Sequence, residues 1–319
     1  MKLIITIPAF NEEASIVQVI KEIPRSIPGV SQVEVLVLDD GSSDRTAQVA
    51  KEAGADYIFS HKRNKGLAQT FKDALEYAVK LGADVIVNTD ADNHYDQSRI
   101  PELIQPILQG TADITIGSRK VEELEHMPFL NKNLNRVGSF VMTKWAGIPK
   151  LDVSTGFRGY TKEAAMRLGV YSTHTYSHTT LLSAQDLKLT TVEVPIKARQ
   201  VTRKSRLIKS IPSHTMKAGT NIIRNIVIFR PLRFFGSLGV LMFLAGLVVV
   251  GRFLYFYFSG DGSGHVQSII LAGVLMIIGF QTLVLGLLGS SLGWTRKVVE
   301  DVLYRVKKIE LTTDKTDQK

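Results

Sequence analysis

The chain opens on Met1-Lys2-Leu3-Ile4-Ile5-Thr6-Ile7-Pro8, an aliphatic, β-branched run closed by proline. Such a run predicts a strand buried on both faces, and it is too short and too poorly flanked for a signal peptide. From there the apolar positions switch repeatedly between short continuous runs and the three-to-four spacing of a helix. The pattern predicts a helix from about Glu12 to Glu22, a strand Val33–Leu38, a helix Thr46–Ala53, a strand Tyr57–Ser60, a helix Leu67–Leu81 and a strand Val85–Thr89. Strands alternating with such helices predict right-handed crossovers on a parallel sheet, whose ligands gather at the carboxyl ends of the strands.

Between Ile114 and Ile196 the periodicity is looser. A strand Ile114–Gly117, a helix around Leu134–Trp145 and a strand Thr191–Val194 are expected there, as the acceptor side of the same domain. Further on, Ile208 to Phe229 intersperses Ile211, Met216, Ile222, Ile223, Ile226, Val227 and Phe229 with Lys and Arg, as a helix lying in a membrane interface would. Phe234 to Gly251 and Val266 to Thr295 then carry no charged side chain, which predicts two transmembrane helices joined by the glycine-rich segment 259–265. The expected domains are therefore 1–207 (catalytic), 208–232 (amphipathic interfacial helices), 233–295 (a two-helix transmembrane hairpin) and 296–319 (a basic cytoplasmic tail).

Charge sharpens the membrane reading. The formal net charge is +9, and between Arg199 and Arg233 lie nine basic residues with no Asp or Glu. This run leads into apolar sequence and no nucleic-acid-binding signature accompanies it, so anionic membrane lipids are the expected partner and nucleic acid is not. The connection between the spans lacks Lys and Arg, whereas Arg224, Arg230 and Arg233 on one side and Arg296, Lys297, Arg305, Lys307 and Lys308 on the other flank their outer ends. The positive-inside rule then predicts an integral membrane protein with its catalytic domain and both termini in the cytoplasm. Arg252 is expected to snorkel among Tyr255 and Tyr257. Gly289 and Gly293 have the spacing that lets helices pack closely within or between chains, which leaves room for a homo-oligomer. With no cysteine, disulfides, thiolate metal sites and cysteine nucleophiles are excluded.

Three polar clusters follow predicted strands. In Pro8-Ala9-Phe10-Asn11-Glu12, Asn11 can cap the helix that follows. In Leu38-Asp39-Asp40-Gly41-Ser42-Ser43-Asp44-Arg45-Thr46, two carboxylates at a strand end can accept from a ribose hydroxyl or a base edge, and Asp44 reads as a helix cap. In Asn88-Thr89-Asp90-Ala91-Asp92-Asn93-His94, two hard oxygen donors suit Mg²⁺ or Mn²⁺ bridging a diphosphate, with His94 as a nitrogen ligand within reach. His61, His126, His214 and His265 belong to no constellation in the sequence, and the histidines at 174 and 178 read as surface or acceptor-loop residues.

Together these segments resemble the family 2 glycosyltransferases of GT-A fold, and within them the polyprenyl- and dolichyl-phosphate sugar synthases, of which dolichol-phosphate mannose synthase is one. The matching pieces are Pro8–Glu12, Asp39–Thr46, Lys65-Gly66-Leu67-Ala68, Asp90-Ala91-Asp92, Gly117-Ser118-Arg119, Asp152 with Thr155-Gly156-Phe157-Arg158, and Arg203-Lys204-Ser205-Arg206-Leu207, in family order over roughly residues 1–210. The resemblance implies an α/β, Rossmann-like GT-A domain with a mostly parallel sheet, carrying interfacial helices and two C-terminal transmembrane helices. It implies that Pro8, Phe10, Glu12, Leu38 and Asp40 hold the nucleotide, that Asp90 and Ala91 lie against ribose and diphosphate, and that Asp92 binds the metal. Arg119 and Arg206 would hold phosphates of donor or acceptor, with Arg199 or Arg203 standing in for a family arginine whose place Gln200 takes. The family's lysine is Arg206 here, which keeps the charge and gains a bidentate grip. His94 replaces the smaller polar residue usual in the family.

The implied reaction is inverting transfer of a sugar from a UDP- or GDP-sugar to polyprenyl or dolichyl phosphate. An anionic phosphate acceptor attacks without a dedicated base, which suits a chain that offers none. The alternatives are a processive membrane polysaccharide synthase, disfavoured because neither Trp145 nor Trp294 sits in a chain-gripping QxxRW segment, and a non-catalytic membrane-tethered nucleotide-sugar sensor.

Overall fold

The structure, a computed structural model, describes residues 1–118, 155–169, 176–196, 199, 220, 223–224, 226–260 and 266–317. The expected helix Leu134–Trp145, Asp152, Arg119, Arg203, Arg206 and most of 208–225 lie outside the described residues.

Seven strands, β1 Lys2–Ala9, β2 Gln32–Asp39, β3 Tyr57–Ser60, β4 Val85–Asn88, β5 Ile114–Ser118, β6 Arg158–Thr161 and β7 Thr191–Pro195, form one sheet in the order β3-β2-β1-β4-β6-β5-β7. Every pairing is parallel except those of β6 with β4 and β5. The sheet is thus mixed but mostly parallel, and β6 runs against the rest. The carboxyl ends of β1, β2, β4, β5 and β7 share one edge with the amino end of β6.

Side chains alternate across the strands. Leu3, Ile5, Ile7, Val35, Val37, Val85 and Val87 pack in one layer with α1 Ile16–Glu22 and α4 Ile100–Leu108. Ile4, Leu36, Ile86, Ile114, Ile116 and Tyr160 pack in the other with α3 Leu67–Lys80, α5 Lys162–Arg167 and α6 Ser177–Asp186. The remaining helix of the first half, α2 Thr46–Glu52, buries Thr46 and Ala50. A sheet covered by helices on both faces needs apolar side chains on both, which is why β1 reads as an unbroken apolar run.

The described residues fall into two compact units. One holds those of 1–207 together with 300–317; the other holds those of 208–299. In the second, Thr220, residues 223–224 and residues 226–229 are helical, with Ile226 and Phe229 buried and Ile223 exposed. Two long helices follow, α7 Pro231–Phe258 and α8 Val266–Asp317, the latter running unbroken from the second unit into residues of the first. Both are long and apolar enough to cross a membrane, and only 11% and 17% of their most apolar stretches is buried, where a soluble core helix would be mostly buried. They pack through small residues: a Cβ built on Gly279 would lie 2.8 Å from the Gly239 carbonyl and one on Gly246 3.1 Å from that of Ala272. Gly289 sits against Pro231 of α7, while Gly293 has open space beside it, so of the two only Gly289 serves packing within the chain. Arg252 lies over the ring of Phe256, 5.7 Å from its centroid, between Tyr255 and Tyr257 in the chain.

Candidate active site

The polar clusters meet because their strands are neighbours in register. Ala9 pairs with Asp39 and Thr6 with Asn88, so the chain leaves β1, β2 and β4 along one edge. The first two loops are stitched together by hydrogen bonds. Asn11 N donates to Ser42 Oγ at 2.9 Å, Ser43 N donates to Asn11 Oδ1 at 2.8 Å, and Glu12 N donates to Thr46 Oγ1 at 2.8 Å. Asn11 therefore does not cap α1. It turns in the left-handed region at φ 56° and spends its side chain on the neighbouring loop, while α1 begins only after Ser15. Asp44 accepts from both the N–H and the hydroxyl of Thr46 at the start of α2. Burial opposes ionisation of Asp44, but those bonds and one from the Glu13 N–H hold its pKa below the usual carboxylate value.

Asp40 is buried, and its carboxylate closes a knot. Oδ1 accepts from Lys65 N at 2.8 Å and faces His61 Nδ1 at 2.8 Å; Oδ2 accepts from Gly66 N at 2.8 Å. His61 reaches Asp73 of α3 through its other nitrogen, at 3.0 Å, and Lys65 Nζ lies 3.5 Å from the same carboxylate. A carboxylate offers about four acceptor positions, and these contacts use three of Asp40's. The reading of His61 as a residue without a constellation is thus corrected: β3 and the amino end of α3 bring it between two carboxylates. Gly41, at φ +72°, lets the loops close, because a Cβ there would sit 2.8 Å from the Arg63 carbonyl carbon.

At the end of β4, Asn88 is fully buried and donates to the Gly156 carbonyl at 2.8 Å and to the Tyr176 hydroxyl at 3.0 Å. Gly156 N in turn donates to the Tyr95 hydroxyl at 3.0 Å, and Tyr95 stacks on Phe157. These bonds press the segment before β6 against Asp90: a Cβ on Gly156 would lie 2.5 Å from both of its carboxylate oxygens. Burial, and after it the nearby negative charge of Asp90, pushes the Tyr176 phenol well above its ordinary pKa, so it stays protonated. Arg158 is fully buried and turned to the amino end of α6, where Nη1 donates to the Ser177 carbonyl and to Thr180 Oγ1, both at 2.9 Å.

Asp92 is exposed at the same edge and accepts from His94 N at 3.1 Å. The His94 ring meets Tyr95 edge-on, and among the described residues no three His, Asp or Glu side chains gather as a metal cage, so Asp90, Asp92 and His94 are not brought together as one. Asp90 and Asp92 nonetheless fit a hard divalent cation as a donor set, since Mg²⁺ is commonly held by one or two carboxylates with substrate phosphates completing its shell. Phe10 is exposed, Glu12 accepts from Ser15 Oγ at 2.8 Å, and Ala91 is buried. Pro8 and Leu38 are buried too.

Arg199 is engaged with the protein itself. Its guanidinium donates to Glu22 Oε2 at 2.6 Å, Asn93 Oδ1 at 2.9 Å and Asp96 Oδ1 at 3.3 Å, and its N–H donates to the His94 carbonyl at 3.0 Å. It therefore ties the loop after Asp92 to α1. Hydrogen bonding from the Ser98 hydroxyl, more than the nearby Arg199 charge, lowers the pKa of Asp96 and keeps this tie ionised. Asn88 opens the third polar cluster of the sequence, but no pattern there marks Tyr95 or Tyr176 as supports of the site.

The sequence profile described as Glycosyl transferase family 2 matches residues 4–169. A UDP-N-acetylglucosamine–dolichyl-phosphate N-acetylglucosaminyltransferase of Methanococcus voltae is 28% identical over 247 residues, which cover 70% of this chain and 91% of that protein. A dolichyl-phosphate hexose transferase of Haloferax volcanii is 34% identical over 167 residues, 50% of this chain and 67% of that one. Among solved structures, glucosyl-3-phosphoglycerate synthase from Mycobacterium tuberculosis, crystallised with Mn²⁺, UDP and glucosyl-3-phosphoglycerate, matches with a TM-score of 0.54 and 19% identity, over 71% of this chain and 78% of that one. That likeness is one of fold.

Proposed function

Because this chain belongs to glycosyl transferase family 2, and so is a glycosyltransferase of GT-A fold, we propose that it transfers a sugar, with inversion, from a nucleotide-sugar to polyprenyl or dolichyl phosphate at the cytoplasmic face of a membrane. One observation carries the reading: a sheet edge lined by Asp40, Asp90 and Asp92 belongs to the same chain as two helices long and apolar enough to span a bilayer. Relatives whose names specify dolichyl phosphate as acceptor support it.

On this reading Asp40 meets the nucleoside, and the exposed Phe10 ring covers it. Asp90, braced by Gly156, and Asp92 hold Mg²⁺ or Mn²⁺. When bound, that ion supplies positive charge to the departing diphosphate. Arg119, Arg203 and Arg206 grip phosphate oxygens of donor and acceptor, and Arg199 positions the loop from Asn93 to Asp96. The acceptor phosphate is already anionic at neutral pH, so attack at the anomeric carbon needs no side chain to remove a proton. The basic stretch before α7 draws the domain to anionic headgroups, and the basic flanks of both helices keep it and the chain ends in the cytoplasm.

Asp92→Ala tests the reading against that of a sensor. Turnover is expected to fall by two orders of magnitude or more, roughly the loss seen when one group stabilising transition-state charge is removed. Transfer at the parent rate, measured as labelled sugar released from the donor, would contradict it.

A further inference from the structure

Helix α8 continues past Thr295, where its uncharged stretch ends, to Asp317. One line of side chains on this extension belongs to the packing of the catalytic unit. The Tyr304 hydroxyl donates to Glu163 Oε2 at 2.9 Å, the Arg167 guanidinium lies over the Tyr304 ring, and Leu311 packs with Tyr304 against the core layer that contains α3 and α5. The opposite line is apolar and open to solvent: Val299, Val302, Val306 and Ile309 are 60%, 53%, 44% and 63% exposed. Their spacing of three, four and three residues is that of the a and d positions of a heptad, and it places Tyr304 and Leu311 at f, on the far side of the helix. The same register runs back through Leu292, Leu288 and Leu285, also exposed.

At a rise of about 1.5 Å per residue the seam runs from about 6 to about 20 Å beyond Thr295 along the helix axis, past the uncharged stretch, which at 30 residues is already longer than a span needs. Soluble surfaces rarely leave a contiguous apolar strip of this kind in water. The flanking positions say what fits on it. With Val299 and Val306 at a, Arg305 falls at g and Glu310 at e of the following heptad, the two positions that meet across a parallel pair of identical helices. One heptad earlier the corresponding positions are Val298 and Leu303, both exposed and apolar, so the same pairing matches apolar with apolar there. Two copies inserted in one membrane in the same sense can only present α8 to each other in parallel. This orientation, though not the seam itself, rests on the membrane reading above.

We propose that this chain associates with further copies of itself through a parallel coiled seam formed by Val299, Val302, Val306 and Ile309, with Arg305 of one copy paired to Glu310 of the next. β-branched residues at both a and d favour three or more strands over two. Arg305 already pairs with Asp301 on its own helix, at 2.9 Å, an exposed contact that an added carboxylate can share.

The cysteine-free chain suits a direct test in native membranes. Single cysteines are placed by V299C, V302C, V306C and I309C along the seam, and by D301C and K308C off it, in the full-length protein, followed by mild oxidation. Disulfides need Cα atoms within about 7 Å, so the seam positions are expected to give a band at twice the 35.3 kDa chain mass, and 301 and 308 none above background. No band at any seam position, bands of equal strength at all six, or quenching of a fluorophore at position 302 by spin-labelled lipid would each overturn the proposal. The crosslink reads geometry without substrate, so its failure is distinguishable from a failure of lipid-phosphate transfer.

Discussion

His61 faces Asp40 at 2.8 Å and Asp73 at 3.0 Å, and it is the residue whose importance the chain hides best. A histidine beyond a short strand and an aspartate on the next helix are unremarkable as letters; only the parallel pairing of β3 with β2 and the packing of α3 bring Asp40 and Asp73 to opposite sides of the imidazole. His61→Gln keeps polarity but cannot bridge both carboxylates, leaving a buried acceptor short of a partner at a cost of about 1–3 kcal/mol. If Asp40 is a nucleotide contact, calorimetric titration with nucleoside diphosphate should show affinity weakened roughly tenfold. An unchanged affinity would mean that the Lys65 and Gly66 N–H groups hold Asp40 without help. Asp90 and Asp92, by contrast, are legible from the sequence because Asp-x-Asp after an apolar strand carries its own chemistry, but the brace that Gly156 forms against Asp90 comes from a segment over sixty residues away.

At the scale of elements, the parallel half of the sheet is readable because each strand is a short apolar run bounded by polar loops. Two elements resist that reading. Helix α4 contains Pro101 and Pro106, which break the usual signature: Pro101 sits at the helix start, where a missing N–H is tolerated, whereas Pro106 lies inside the helix and forgoes the bond its N–H would make to the carbonyl four residues back. Strand β6, Arg158-Gly159-Tyr160-Thr161, holds an arginine and a glycine and has no apolar alternation, yet it is inserted antiparallel between β4 and β5. In the hairpin, apolar composition marks α7 and α8 plainly, whereas the line of Gly239, Gly246, Ala272 and Gly279 that lets them approach shows only once the two are paired. Gly279→Leu would place a large side chain where a Cβ already lies 2.7 Å from the Phe243 N. It should destabilise the hairpin by about 1–3 kcal/mol, read as a lower melting temperature in detergent, without altering nucleotide affinity. An unchanged melting temperature would show that the helices separate at little cost.

For the whole molecule, the grouping of residues 300–317 with the catalytic unit changes what a truncation is expected to do. Ending the chain after Phe229 removes the apolar helices and also strips Tyr304 and Leu311 from the core layer they cover. Donor binding should survive in the shortened protein with a reduced melting temperature, while transfer to long-chain lipid phosphate is lost; transfer at the full-length rate would refute a membrane role for the removed part. The central claim, that the carboxylate-lined sheet edge serves an acceptor resident in a bilayer, is tested most directly by supplying the purified full-length chain with polyprenyl phosphate, Mg²⁺ or Mn²⁺ and labelled nucleotide sugars, then measuring label extracted into organic solvent. Label that becomes lipid-soluble with at least one donor, and only when the divalent ion and the lipid phosphate are both present, is the predicted result. Label that stays in water with every donor, or that moves only to a soluble phosphorylated acceptor, would contradict it.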